Sequence, residues 1–175
     1  RYGFIGVADG PLTVGAVALL AINVALWTLS YHLLRSGWEL KLHGYINLTR
    51  EVYRRMVEKK SGVIINVIGG AGERPTAGYI AGSIANSGLI TMSRALGAES
   101  PKHNVRVMGL NPTATATDRG VERWRNQAKE QLGDPERWQE LTKGMPFGRP
   151  CSVEDVADVV VFLASHPASY IVGSV

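Results

Sequence analysis

At 175 residues, with 45% hydrophobic and 19% charged side chains, the chain has enough apolar material for the core of one α/β domain and too little length for two independent enzyme domains. This composition excludes collagen-like, coiled-coil and disordered chains, and the single cysteine, Cys151, excludes an intramolecular disulfide scaffold and points to a reducing, cytoplasmic setting. A net charge of +4, with at most two basic residues in succession (Arg54-Arg55, Lys59-Lys60), is not the footprint of a nucleic-acid binder, and no metal site is expected.

From Gly10 to Leu34 there is no Asp, Glu, Lys or Arg, and residues 12 to 26 are almost wholly apolar, which is long enough to span a bilayer. Trp27, Tyr31 and Arg35 would suit a membrane interface. Pro11, Asn23, Ser30 and His32 weigh against spanning, so the segment is read as a buried helix plus a buried strand, with no membrane partner. Next, Trp38, Leu42, Tyr45, Ile46, Val52, Tyr53 and Met56 recur at helical spacing with Arg50, Arg54 and Lys59 on other faces, predicting an amphipathic helix over 37–60. Lys60-Ser61-Gly62 ends it. The β-branched run from Val63 to Ile68 is predicted as a buried strand that enters a glycine loop, Gly69-Gly70-Ala71-Gly72.

A second helix is predicted over 79–99 and a second buried strand over 104–110. Strands joined by helices of this length pair in parallel, so the fold class is α/β: a Rossmann-like parallel sheet with helices on both faces. Arg119 to Lys143, carrying Trp124 and Trp138, reads as a helical excursion or lid, and Ser152 with Glu154 and Asp155 reads as the capped start of a last helix. Because the chain opens at Arg1, the single domain over 1–175 is expected to be truncated.

Four segments in fixed order carry a resemblance. They are Gly62-Val63-Ile64-Ile65-Asn66-Val67; the helix from Tyr79 to Leu89; Val105 to Pro112; and Gly148-Arg149-Pro150 through Glu154-Asp155-Val156-Ala157 and Phe162 to Ser165, ending at Tyr170 to Gly173. Over residues 38–175 the chain resembles the short-chain dehydrogenase/reductase family. The resemblance implies an oxidoreductase passing a hydride between NAD or NADP and a small-molecule alcohol or carbonyl substrate.

Tyr79 matches the family's acid/base tyrosine. A free phenol, with pKa ~10, is a poor base at neutral pH, and the family supplies an adjacent lysine four residues on. That position is Ser83 here, expected to share a helix face with Tyr79. The family's strand-end serine is replaced by Gly69 or Gly70. Lys41 stands where the family has an asparagine, three residues before Gly44, and its ammonium would replace the missing charge, with His43 as another base; the alternative is a lysine that snorkels to solvent.

For the cofactor, the resemblance assigns Asn111, Pro112 and Thr117 to the nicotinamide end, with Thr113 where glycine is usual. Read as a loop alone, Thr117 or Asp118 would cap the next helix. Gly6 and Gly10 match the phosphate-binding turn, with Leu12 at its third glycine. Ala81, Gly82, Ala85 and Gly88 would admit a neighbouring helix, and the resemblance implies a homo-oligomer built on this helix and the one before it. The competing reading is a non-catalytic or truncated relative that keeps only fold and oligomer surface.

Overall fold

The computed structural model describes residues 22–25, 28 and 38–175. The chain divides into two compact units, Arg1–Lys41 and Leu42–Val175. In the first, residues 22–25 and 28 are helical and exposed, with the Thr28 hydroxyl donating to the Val24 and Ala25 carbonyls. No helix among the described residues is long and apolar enough to cross a membrane; most of the apolar stretch 10–34, and Gly6 and Gly10, lie outside them.

The elements follow as α1 (Trp38–Lys59), β1 (Gly62–Val67), α2 (Ile80–Glu99), β2 (Val105–Leu110), α3 (Asp118–Leu132), α4 (Trp138–Thr142) and α5 (Val153–Ala164). The α1 helix buries Thr49 and half-buries Tyr45, Val52, Tyr53 and Met56. Its outer face carries exposed ion pairs of Glu51 with Arg54 (2.9 Å) and Arg55 (3.0 Å), so its basic cluster is a solvated face.

β1 and β2 pair in parallel, with Gly62 opposite Val105 and Val67 opposite Leu110, and α2 forms the crossover. Both strands begin beside a left-handed residue, Lys60 (φ 52°) and Asn104 (φ 56°), and the Asn104 Nδ2 donates to the Lys60 carbonyl at 2.7 Å, tying the two strand starts together. The Asn66 Nδ2 donates to Ser93 Oγ (2.9 Å), which donates to the Leu89 carbonyl (2.8 Å), so this buried polar pair is satisfied. Ile68, Leu89 and Ile90 form a cluster with Leu42, Tyr45, Met92 and Val175 packed against it, while Val105, Val107 and Met108 are fully buried.

The opposite face of β2 carries Arg106, whose guanidinium donates to four carbonyls at the end of α5 and just beyond: Leu163 and Ala168 at 2.8 Å, Ala164 and Ser165 at 3.3 Å. Helices thus cover both faces, as expected. One expectation needs correction: β1 is half-buried rather than buried, with Val67 exposed, because among the described residues β2 is its only strand neighbour.

Beyond β2, the excursion is held by parallel stacking of Trp124 on Trp138 (centroids 5.7 Å apart), which makes them packing residues. Ser152 caps α5 as expected, and its hydroxyl and the Asp155 carboxylate form a reciprocal capping box. Gly173 donates to Val107 O and Gly109 to Ser174 O, both at 2.9 Å, so the end of the chain lies along the edge of β2 that β1 leaves free. Gly97 makes room for it, since a Cβ there would stand 2.6 Å from the Gly173 nitrogen.

Candidate functional site

The carboxyl ends of β1 and β2 are stitched together beyond the strands, where Ile68 N donates to Leu110 O at 2.8 Å and Gly70 N to Pro112 O at 3.2 Å. Gly69, at φ 117°, turns the chain in a way a side chain would resist. The first turns of α2 hold this loop: Asn86 Nδ2 donates to the Gly69 carbonyl (3.2 Å) and the Ser87 hydroxyl to the Gly72 carbonyl (2.7 Å). Between Ile68 and Gly72 there is no side-chain hydroxyl.

Residues 77–79 form a 3-10 turn and Tyr79 is the N-cap of α2, at φ −139° and ψ 36°. That backbone is not helical, so Tyr79 stands at the entry to α2 rather than within it. The Tyr79 ring folds back over Gly82, and the side chain is 53% exposed. Ser83 is buried, and its hydroxyl meets no partner among the described residues. It lines an open groove of about 410 Å³ with Pro75, Thr76, Ile80, Ile84 and Ser87. Neutral and facing this groove, Ser83 does not supply the cation that the family places at its position.

Lys41 belongs to the first compact unit, and burial lowers its ammonium below the ordinary lysine pKa. His43 is exposed. At the end of β2, both polar atoms of the Asn111 amide are shut off from solvent without a hydrogen-bond partner among the described residues. A buried amide with neither end paired is an unmet demand for one donor and one acceptor at the carboxyl end of β2. The Thr117 hydroxyl accepts from Gly120 N at 3.1 Å, capping α3; this was the loop-only reading, and it leaves the hydroxyl proton free to donate elsewhere. Thr113 is exposed, and its carbonyl accepts from the Thr115 hydroxyl.

A second groove, about 800 Å³ and largely apolar, runs between α1 and α2 past Ile46, Tyr53, Val57, Met92 and Leu96. Burial and the nearby Glu99 carboxylate raise the Tyr53 phenol above its ordinary pKa. Gly88 fulfils the expectation of close helix approach, because a Cβ there would stand 3.2 Å from Leu42 Cδ1 of α1. Gly82 does not, since its space is taken by Tyr79. Sequence reasoning missed Asn86 and Ser87 as loop-holding residues; their only signal was two hydrogen-bonding side chains at adjacent positions of an otherwise small, apolar helix.

Residues 9–175 match the family model described as enoyl-(acyl carrier protein) reductase. NADPH-dependent reductase BacG of Bacillus subtilis (strain 168) is 32% identical over 134 residues, which cover 76% of this chain and 52% of that protein. L-xylulose reductase of Bos taurus is 27% identical over 173 residues, covering 98% and 66%. The structure of L-sorbose reductase from Gluconobacter frateurii, complexed with NADPH and L-sorbose, matches with a TM-score of 0.71 at 28% identity, covering 78% of this chain and 53% of that one. The chain therefore spans about half to two thirds of the length of the curated relatives it matches. With the family model matched along nearly all of its length and the βαβ unit in place, the chain belongs to the short-chain dehydrogenase/reductase family.

Proposed function

We propose that the protein serves NAD(P)-dependent oxidoreduction of a small-molecule alcohol or carbonyl, with Tyr79 as the acid/base. The observation that carries this reading is the placement of the Tyr79 phenol: exposed, at the entry to α2, on the helix whose Asn86 clasps the loop at the carboxyl end of β1. Ligands of open α/β sheets bind at such strand ends. A bound NAD or NADP would supply the hydride acceptor or donor. Asn111 would hold its nicotinamide end through the open amide, with Pro112 shaping the turn and Thr117 offering its hydroxyl proton. Tyr79 would give a proton to the substrate oxygen in reduction and take one in oxidation. Gly6 and Gly10 for the phosphates, and Lys41 as supporting cation, rest on the resemblance alone. The NADPH-dependent reductase BacG and the L-sorbose reductase complexed with NADPH support the cofactor class.

The groove between α1 and α2 supports the further reading that two copies associate there, which light scattering of the protein and of Ile46→Glu tests: a dimer that the variant abolishes supports it, and a monomeric protein overturns it. The free Cys151 thiol favours a cytoplasmic setting. The activity itself is tested by Tyr79→Phe, which should lower turnover of a carbonyl substrate by about 10²- to 10⁴-fold while cofactor binding persists. A non-catalytic relative is the reading favoured by Ser83 and by the missing hydroxyl between Ile68 and Gly72; cofactor binding without turnover of any carbonyl would establish it.

A further inference from the structure

Gly82 is buried although it stands in the first turn of a helix that begins beside exposed residues, and what covers it is Tyr79. A Cβ built on Gly82 would lie 2.6 Å from the Tyr79 hydroxyl oxygen and closer still to Cζ and Cε1 of the ring. No real Cβ tolerates such contacts, so any side chain at 82 and the observed ring position exclude each other. Glycine is also a poor helix former, so its presence within α2 is unfavourable locally and needs a compensating contact. Tyr79, as N-cap, has a non-helical backbone that lets its ring lie along the helix instead of pointing away from it. Four residues on from Gly82, and so on the same face, Asn86 fixes the Gly69 carbonyl at the end of β1.

We propose that Gly82 is the positioning residue for Tyr79: the missing side chain is a seat for the phenol ring, and Asn86 ties the helix face bearing that seat to the strand end. The inference rests on the reading of Tyr79 as acid/base. It explains how a tyrosine at the helix N-cap is held without a hydrogen-bonded partner for its hydroxyl among the described residues. A phenol free to rotate about its side-chain bonds would present its hydroxyl to the reacting oxygen only part of the time, and misplacement by about 1 Å costs on the order of 10²-fold in rate.

The test uses the full chain. The seat itself is read by NMR: a nuclear Overhauser cross-peak between the Gly82 α protons and the Tyr79 ε ring protons is expected, and its absence overturns the proposal whatever the activity. Melting of Gly82→Ala gives a second reading, because alanine should lower the melting temperature of the parent protein yet raise it in a Tyr79→Ala background, where the ring is gone and only helix propensity remains. Equal effects in both backgrounds overturn the seat. For turnover, Gly82→Ala should lower kcat about 10²-fold and leave the KM for NADPH unchanged. If Tyr79→Phe abolishes turnover but Gly82→Ala keeps the parent kcat, the positioning role fails and the acid/base reading stands. If Tyr79→Phe keeps the parent kcat, the acid/base reading fails, and the positioning role falls with it even where the cross-peak is present.

Discussion

Arg106 does at the residue scale what an apolar side chain could not. It leaves a buried strand and donates to four carbonyls at the end of α5 and in the following turn, of which Ala168 also accepts from Ile171 N. Replacing it with methionine keeps the apolar stem and removes every donor, so these carbonyls lose the guanidinium's hydrogen bonds. The expected cost is about 3 kcal/mol, read as a fall in melting temperature of roughly 6–12 °C for a chain of this length. A fall below ~2 °C would mean that water replaces the guanidinium. Lys41 is a residue-scale question of a different kind. Should its ammonium support the acid/base group, Lys41→Met moves the pH–rate profile to higher pH; an unchanged profile removes Lys41 from the chemistry.

At the scale of elements, α5 illustrates how local chemistry fixes a boundary. The Ser152 hydroxyl accepts from Asp155 N (3.0 Å) while the Asp155 carboxylate accepts from Ser152 N (2.8 Å) and from Arg149 (2.6 Å), which holds that carboxyl well below the usual carboxylate range. Ser152→Ala should cost about 1 kcal/mol in urea denaturation. For Asp155 the folded-state pKa lies below the unfolded one, so its contribution is complete above ~pH 4 and is lost as pH falls toward the folded value. Asp155→Asn should therefore melt earlier than the parent at pH 7, with the gap closing in strongly acidic solution. A gap that is constant across pH would assign the loss to shape and not to charge.

Helical periodicity located α1 and α2, and short apolar, β-branched runs located both strands, each to within about two residues. Periodicity placed Tyr79 inside α2 and so paired it with Ser83. In the structure the turn Ala77–Tyr79 precedes the helix, so Tyr79 is its N-cap and the helix begins one residue later, at Ile80. The cap residues Thr117 and Ser152 were legible since their spacing is local. The ring on Gly82 and the hold of Asn86 on Gly69 were not, since a contact across 17 positions, or a side chain folded back along its own helix, leaves no periodic trace.

For the whole molecule, the βαβ unit, the satisfied Asn66–Ser93 pair and the unpaired Asn111 amide describe a scaffold whose strand ends, among the described residues, hold a buried polar group without a partner. Gly6 and Gly10, proposed for the phosphate-binding turn, lie outside the described residues, and recognition of the cofactor is the step on which every proposed catalytic role depends. Fluorescence titration of the full chain with NADPH and NADH measures it directly. Saturable binding of at least one nucleotide, weakened by Asn111→Ala and unaffected by Tyr79→Phe, is the predicted result. No saturable binding of either would contradict hydride transfer by this chain.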